Sequence, residues 1–167
     1  MTMSDVPPSS PLTSLRDRID RARRQAVTDL PVAGLDGVWV RYQALDHDAV
    51  DQALKKRNTA ALDGDISALA RSCVSILLNP EQADPELAAA FDGSAPWLND
   101  DGELSAGPLT FSSDRLAGLL GLDTPARPAE TVRALFPLEL NISDHAAHVA
   151  NFSRGEAGTV GRSALGN

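Results

Sequence analysis

The sequence predicts an α+β fold, mostly α-helical, with a small N-terminal β-hairpin packed on a bundle of about five to six short helices. Composition is the first reason. Hydrophobic residues make up 43% of the 167, enough for a true core, but aromatics make up only 4%. A core of Leu, Val, Ile and Ala suits helices, whereas strands favour β-branched and aromatic residues. Periodicity is the second reason: apolar residues recur at three- and four-residue spacing over most of the chain. The third is one turn dipeptide, Asp36-Gly37, between two short extended runs.

The order of elements follows. Residues 1–12 carry Pro7, Pro8 and Pro11 among serines and read as a disordered leader. Thr13 or Ser14 can cap a first helix to about Val27, with Leu15, Ile19, Ala22 and Ala26 on one face. Its other faces carry Arg16, Arg18, Arg21, Arg23 and Arg24. Charge runs are first read as solvated faces; the sharper reading is an electrostatic dock for an acidic partner, including the chain's own acidic middle. Leu30 to Ala33 and Val38 to Tyr42 flank the turn, with Val38, Val40 and Tyr42 on one face and Trp39 and Arg41 on the other. Trp39 beside Arg41 is either the outer cover of a small sheet or a binding pair.

Asp46 caps a short helix from His47 to Arg57, in which Val50 and Leu54 face inward. Asp65 caps a stronger helix through about Asn79, with Ile66, Leu69, Ala70, Cys73, Val74 and Leu77 as its apolar stripe. Ile66, Leu69, Cys73 and Leu77 are expected to be buried together against Val132, Leu135 and Phe136. Beyond Asn79, Pro80, Pro85 and Pro96 interrupt the pattern and seven carboxylates gather between Glu81 and Glu103. A short helix fits Pro85 to Phe91. Residues 92–107 read as a mobile acidic loop, in which Trp97 either plugs the core or anchors a partner. Ser112 or Ser113 caps a helix with Leu116, Leu119 and Leu120, ending near Gly121. Pro128 starts the next, with Val132, Leu135 and Phe136 inward. Ser143 caps a last helix to Ser153, with Ala146, Val149 and Phe152 at helical spacing. Residues 13–154 thus form one globular domain, and the Gly-, Ser- and Ala-rich residues 155–167 a flexible tail.

Several function classes fit poorly. Net charge is −8 and the pI about 4.7, where a duplex-binding protein carries a basic face, so no nucleic acid is expected. No apolar run is long enough to span a bilayer, the first residues lack a signal-peptide core, and Cys73 can form no disulfide within the chain. These features point to the cytoplasm. His145 and His148, at i, i+3, read as polar helix-surface residues, because no further ligands complete a metal site. Asp63-Gly64-Asp65 and Asp46-His47-Asp48 lack the distal glutamate of a calcium loop. Neither a phosphate-binding Gly-x-x-x-x-Gly-Lys nor a Gly-x-Ser-x-Gly elbow occurs. The expectation is a non-catalytic protein without cofactor or metal, with Trp39, Arg41, Trp97, Val149 and Phe152 as candidate partner-binding residues.

Two stretches together resemble the tail assembly chaperones of long-tailed bacteriophages, especially those of actinobacteria. One is Leu30-Pro31-Val32 through Val38-Trp39-Val40-Arg41-Tyr42-Gln43-Ala44-Leu45 with the helix at Asp46. The other is Gly107-Pro108-Leu109-Thr110-Phe111, then Leu116 to Leu122, then Thr131-Val132-Arg133-Ala134-Leu135-Phe136 and the helix to Ser153. The similarity spans about residues 27–153 and is one of order and spacing. It implies a non-catalytic protein of the host cytoplasm that binds the tail tape-measure protein, and in addition the tail-tube protein, while the tube assembles. A homo-oligomer is compatible with it. The alternative from the same setting is a structural tail-completion or head–tail connector subunit kept in the virion; a small cytoplasmic enzyme is the third class.

Overall fold

The computed structural model describes residues 11–59, 61–93, 95–155 and 159–160. The fold is α+β: seven helices and a small antiparallel sheet among the described residues. Helix α1 (Pro11–Gln25) runs directly into strand β1 (Ala26–Pro31). Strand β2 (Val38–Gln43) returns beside it, pairing Val27 with Gln43 through Pro31 with Trp39. Pro31 has no N–H to give the ladder and sits at the strand's end, where none is needed. The turn between the strands depends on Gly37, whose φ of +92° suits glycine. A Cβ there would stand 2.5 Å from the Ala83 backbone nitrogen, and the Gly37 carbonyl accepts from the Asn79 N–H at 2.7 Å.

Helices α2 (His47–Thr59) and α3 (Ala61–Ser72) follow. Asp46 does cap α2, its carboxylate accepting from the Ala49 N–H at 2.7 Å. Asp65 does not cap α3: the helix begins at Ala61 and Asp65 is buried inside it. The helix also ends earlier than Asn79, because Cys73–Leu78 is strand β3, paired antiparallel with β2. The run Cys-Val-Ser-Ile-Leu-Leu is apolar enough to continue a helical stripe, but its β-branched Val74 and Ile76 suit a pleated, half-buried strand. The two edge N–H groups of β3 at Ile76 and Leu78 donate to the carbonyls of Leu109 and Pro96, so irregular chain covers that edge.

Helix α4 (Pro85–Ala90) has Pro85 in its first turn and Asp84 as its cap, accepting from the Leu87 N–H at 2.7 Å. Residues 97–105 form a tight, internally bonded turn within the acidic stretch, with Leu98 bridged to Leu104. Helices α5 (Asp114–Leu119), α6 (Pro128–Leu135) and α7 (Glu139–Ser153) complete the domain. Ser113 precedes α5, but its hydroxyl accepts from the Thr110 N–H rather than capping the helix. Ser143 lies inside α7, a turn beyond the observed start. Of the expected leader, Pro11 and Leu12 open α1 and residues 1–10 lie outside the described residues. Of the expected tail, Thr159–Val160 forms strand β4 against Ala26 and Val27, giving the sheet order β3-β2-β1-β4.

Ile66 and Leu69 share one buried cluster with Val38, Val40, Tyr42, Ile76, Val132, Leu135, Phe136 and Val149. Cys73 packs on its margin. Leu77 is buried as well, but strand alternation turns it to the sheet face opposite Ile76, outside that cluster. A helix would have kept both on one side.

Candidate functional site

The residues marked by sequence are not gathered in one place. Arg41 and Trp39 do share a sheet face, but Arg41 is buried. Its Nε donates to Asp29 Oδ1 at 2.8 Å and its Nη2 to Asp29 Oδ2 at 3.1 Å, across the rung that the β1–β2 register sets. Trp39 is half-buried, and its indole N–H donates to Gln82 Oε1 at 2.8 Å. It lines an open groove of about 480 Å³ along the turn of residues 31–37. Trp97 is half-buried at the base of the 97–105 turn, where its N–H donates to Ser105 Oγ and its carbonyl accepts from the Ser105 N–H. Val149 and Phe152 are buried on the inward face of α7.

His145 and His148 correct the sequence reading. His145 is 3% exposed, not a surface residue. Its Nε2 lies 2.8 Å from the Pro31 carbonyl, which can only accept, so Nε2 carries the proton. Nδ1 is then the acceptor for the Tyr42 hydroxyl at 2.7 Å. Burial pushes the His145 pKa down to about 4, against the opposing pull of its bond to Pro31. His148, also lowered by burial, meets Thr28 Oγ1 at 2.9 Å. Both ring nitrogens of His145 are engaged inside the protein, which suits a structural bridge between the sheet and α7 better than proton transfer to a substrate. Burial pushes the Cys73 thiol up to about 12, so it is a protonated thiol at neutral pH rather than a nucleophile. Among the described residues, no three His, Cys, Asp or Glu side chains are grouped as a metal ion would require, and no helix is long and apolar enough to cross a membrane.

A different surface stands out. Leu87 and Ala90 of α4 with Phe91 just after it, Leu116 and Leu119 of α5 with Leu120 just after it, and Leu135 of α6 line an open apolar groove of about 270 Å³ with Leu35 and Pro137. The volume lies below the roughly 300–1,000 Å³ of small-molecule sites and suits a few aliphatic side chains. Three exposed carboxylates, Asp36, Glu86 and Asp92, are next in sequence to lining residues. The arginines next in sequence to the lining are engaged elsewhere: Arg115 with the Gly107 carbonyl and Arg133 with Asp63. Beyond Pro137, Leu138 and Leu140 are 55% and 74% exposed. Leu116, Leu119, Leu120 and Leu135 were legible as helix positions, but that α4, α5 and α6 leave a gap where they converge is a property of their packing.

Comparison with known proteins finds no protein-family model, no curated protein and no solved structure that matches this chain.

Proposed function

We propose that this protein is a non-catalytic binding protein that covers an apolar helical stripe of a partner, and that it acts as a tail assembly chaperone for a phage tail tape-measure protein in the host cytoplasm. The observation that carries this reading is the open apolar groove between α4, α5 and α6. An amphipathic helix laid into such a groove anchors through side chains at i, i+3 and i+4. A tape-measure helix has such stripes to cover before the tube encloses it. The carboxylates next in sequence to the lining favour a partner with basic flanks and, with the net charge of −8, oppose indiscriminate clustering. Affinity should be modest, because tube subunits must displace the chaperone, and differences between related complexes lie mostly in the rate of release.

The test is co-expression with the tape-measure protein, measuring the fraction of it that stays in solution, and mass spectrometry of purified virions. The expected result is a gain in soluble tape measure that is lost on Ala90→Arg in the groove wall, and absence of this chain from virions. No gain in solubility overturns the reading. Stoichiometric presence in virions replaces it with the structural tail-completion or connector subunit.

A further inference from the structure

Helix α1 carries a second exposed apolar feature among the described residues. Leu15 and Ile19, one turn apart on the same face, are 56% and 47% exposed. Around them stand Arg16, Arg18, Arg21, Arg23 and Arg24, against Asp17 and Asp20. The helix is therefore net positive in a chain of net charge −8. The groove has matching attributes: an apolar lining, and the exposed carboxylates Asp36, Glu86 and Asp92 next in sequence to lining residues.

Helix α1 does not enter the groove of its own copy: neither Leu15 nor Ile19 is among the lining residues. It joins β1 at Ala26 with no linker residue, and the groove begins with Leu35, beyond the far end of β1 at Pro31. The six residues of β1 separate the two by roughly 20 Å along the strand. In the structure, Leu15 and Ile19 are left exposed.

We infer that α1 of one copy seats Leu15 and Ile19 in the α4–α5–α6 groove of a second copy, with its arginines toward the carboxylates of Asp36, Glu86 and Asp92. The exchange is reciprocal, each copy giving its helix to the copy whose helix it receives, and reciprocity is what closes it as a two-fold dimer where a one-way exchange would grow into a ring or filament. Exchange also covers the groove until a partner helix displaces α1. This rests on the groove being a helix-binding surface, as proposed above, and adds what occupies it at rest.

Sedimentation velocity of the full chain over a concentration series tests it. The expected result is a concentration-dependent dimer whose apparent Kd rises at least tenfold when sodium chloride goes from about 0.1 M to about 0.5 M, because the arginine–carboxylate contacts are solvent-exposed and screened. The Leu15→Glu/Ile19→Glu variant and the Ala90→Arg variant should each be monomeric, with unchanged thermal melting because all three positions are exposed. Mixed together they should form a heterodimer, weaker than the wild-type dimer, since one intact helix then meets one intact groove. A wild-type chain that stays monomeric, a dimer that survives either variant, or a mixture that gives no heterodimer overturns the inference. The two readings separate in the co-expression assay. A monomeric wild type that still keeps the tape measure in solution sinks the dimer and leaves the chaperone. An α1-dependent dimer with no effect on the tape measure does the reverse.

Discussion

The seam between the sheet and α7 and the groove between α4, α5 and α6 differ in chemistry and end in opposite states. At the seam, buried polar groups find partners: Tyr42 with His145, His145 with the Pro31 carbonyl, and Thr28 with His148. On the sheet's other face Asp29 and Arg41 pair as a fork. The bonds of Tyr42, His145, Thr28 and His148 join the strands to one face of α7, and they occupy both ring nitrogens of His145. At the groove, aliphatic side chains converge without polar groups to direct them, and solvent reaches the gap. Buried polar networks specify one arrangement because a mismatch is costly, whereas an apolar gap accepts any stripe of suitable shape. The region with more chemistry is the scaffold, and the chemically plain one is the surface that can act.

The comparison breaks most readily at Asp29. Asp29→Ala leaves Arg41 buried without its carboxylate, and chemical denaturation should show a loss of about 3–5 kcal/mol. The double change Asp29→Val/Arg41→Leu should recover most of it; if it does not, the pair contributes more than mutual neutralisation.

Leu69→Ala, fully buried where α3 meets the core, should cost about 2–5 kcal/mol. A melting shift equal to that of Leu140→Ala, at an exposed site, would remove Leu69 from the core.

The next effect is on pH. The folded-state pKa of His145, about 4, lies below the ordinary 6.5, so the unfolded chain takes up this proton first as pH falls. The contribution is fully present above about pH 6.5, is lost as pH falls toward about 4, and amounts to on the order of 3 kcal/mol. His148 shifts in the same direction. Urea unfolding at stepped pH should show this acid limb, and His145→Gln should flatten it; an unchanged slope would detach the seam from His145.

The smallest stability effect belongs to the groove. Ala90→Arg on the exposed wall should change unfolding free energy by no more than about 0.5 kcal/mol while abolishing partner binding. A large stability loss there would make the groove wall part of the scaffold after all.

Much of this was legible in the residues themselves. Gly37 after Asp36 marks the turn, Asp46 the start of α2, Pro85 and Pro128 the starts of α4 and α6, because each acts through its own backbone. Strand alternation puts Val38, Val40 and Tyr42 inward, and helical spacing puts Ile66, Leu69, Val132 and Leu135 inward, as found. That much is local: φ limits, missing N–H groups and the period of the apolar pattern depend only on near neighbours. Tertiary structure decided the rest. Cys73–Leu78 became a strand because the edge of β2 was there to pair with, an option invisible to a six-residue apolar run that satisfies either period. His145 left the surface because Tyr42 and Pro31 supply one donor and one acceptor from over a hundred residues away. The groove exists because three short helices meet without filling the space between them, and packing density at a convergence is set by distances between elements, which no single segment encodes.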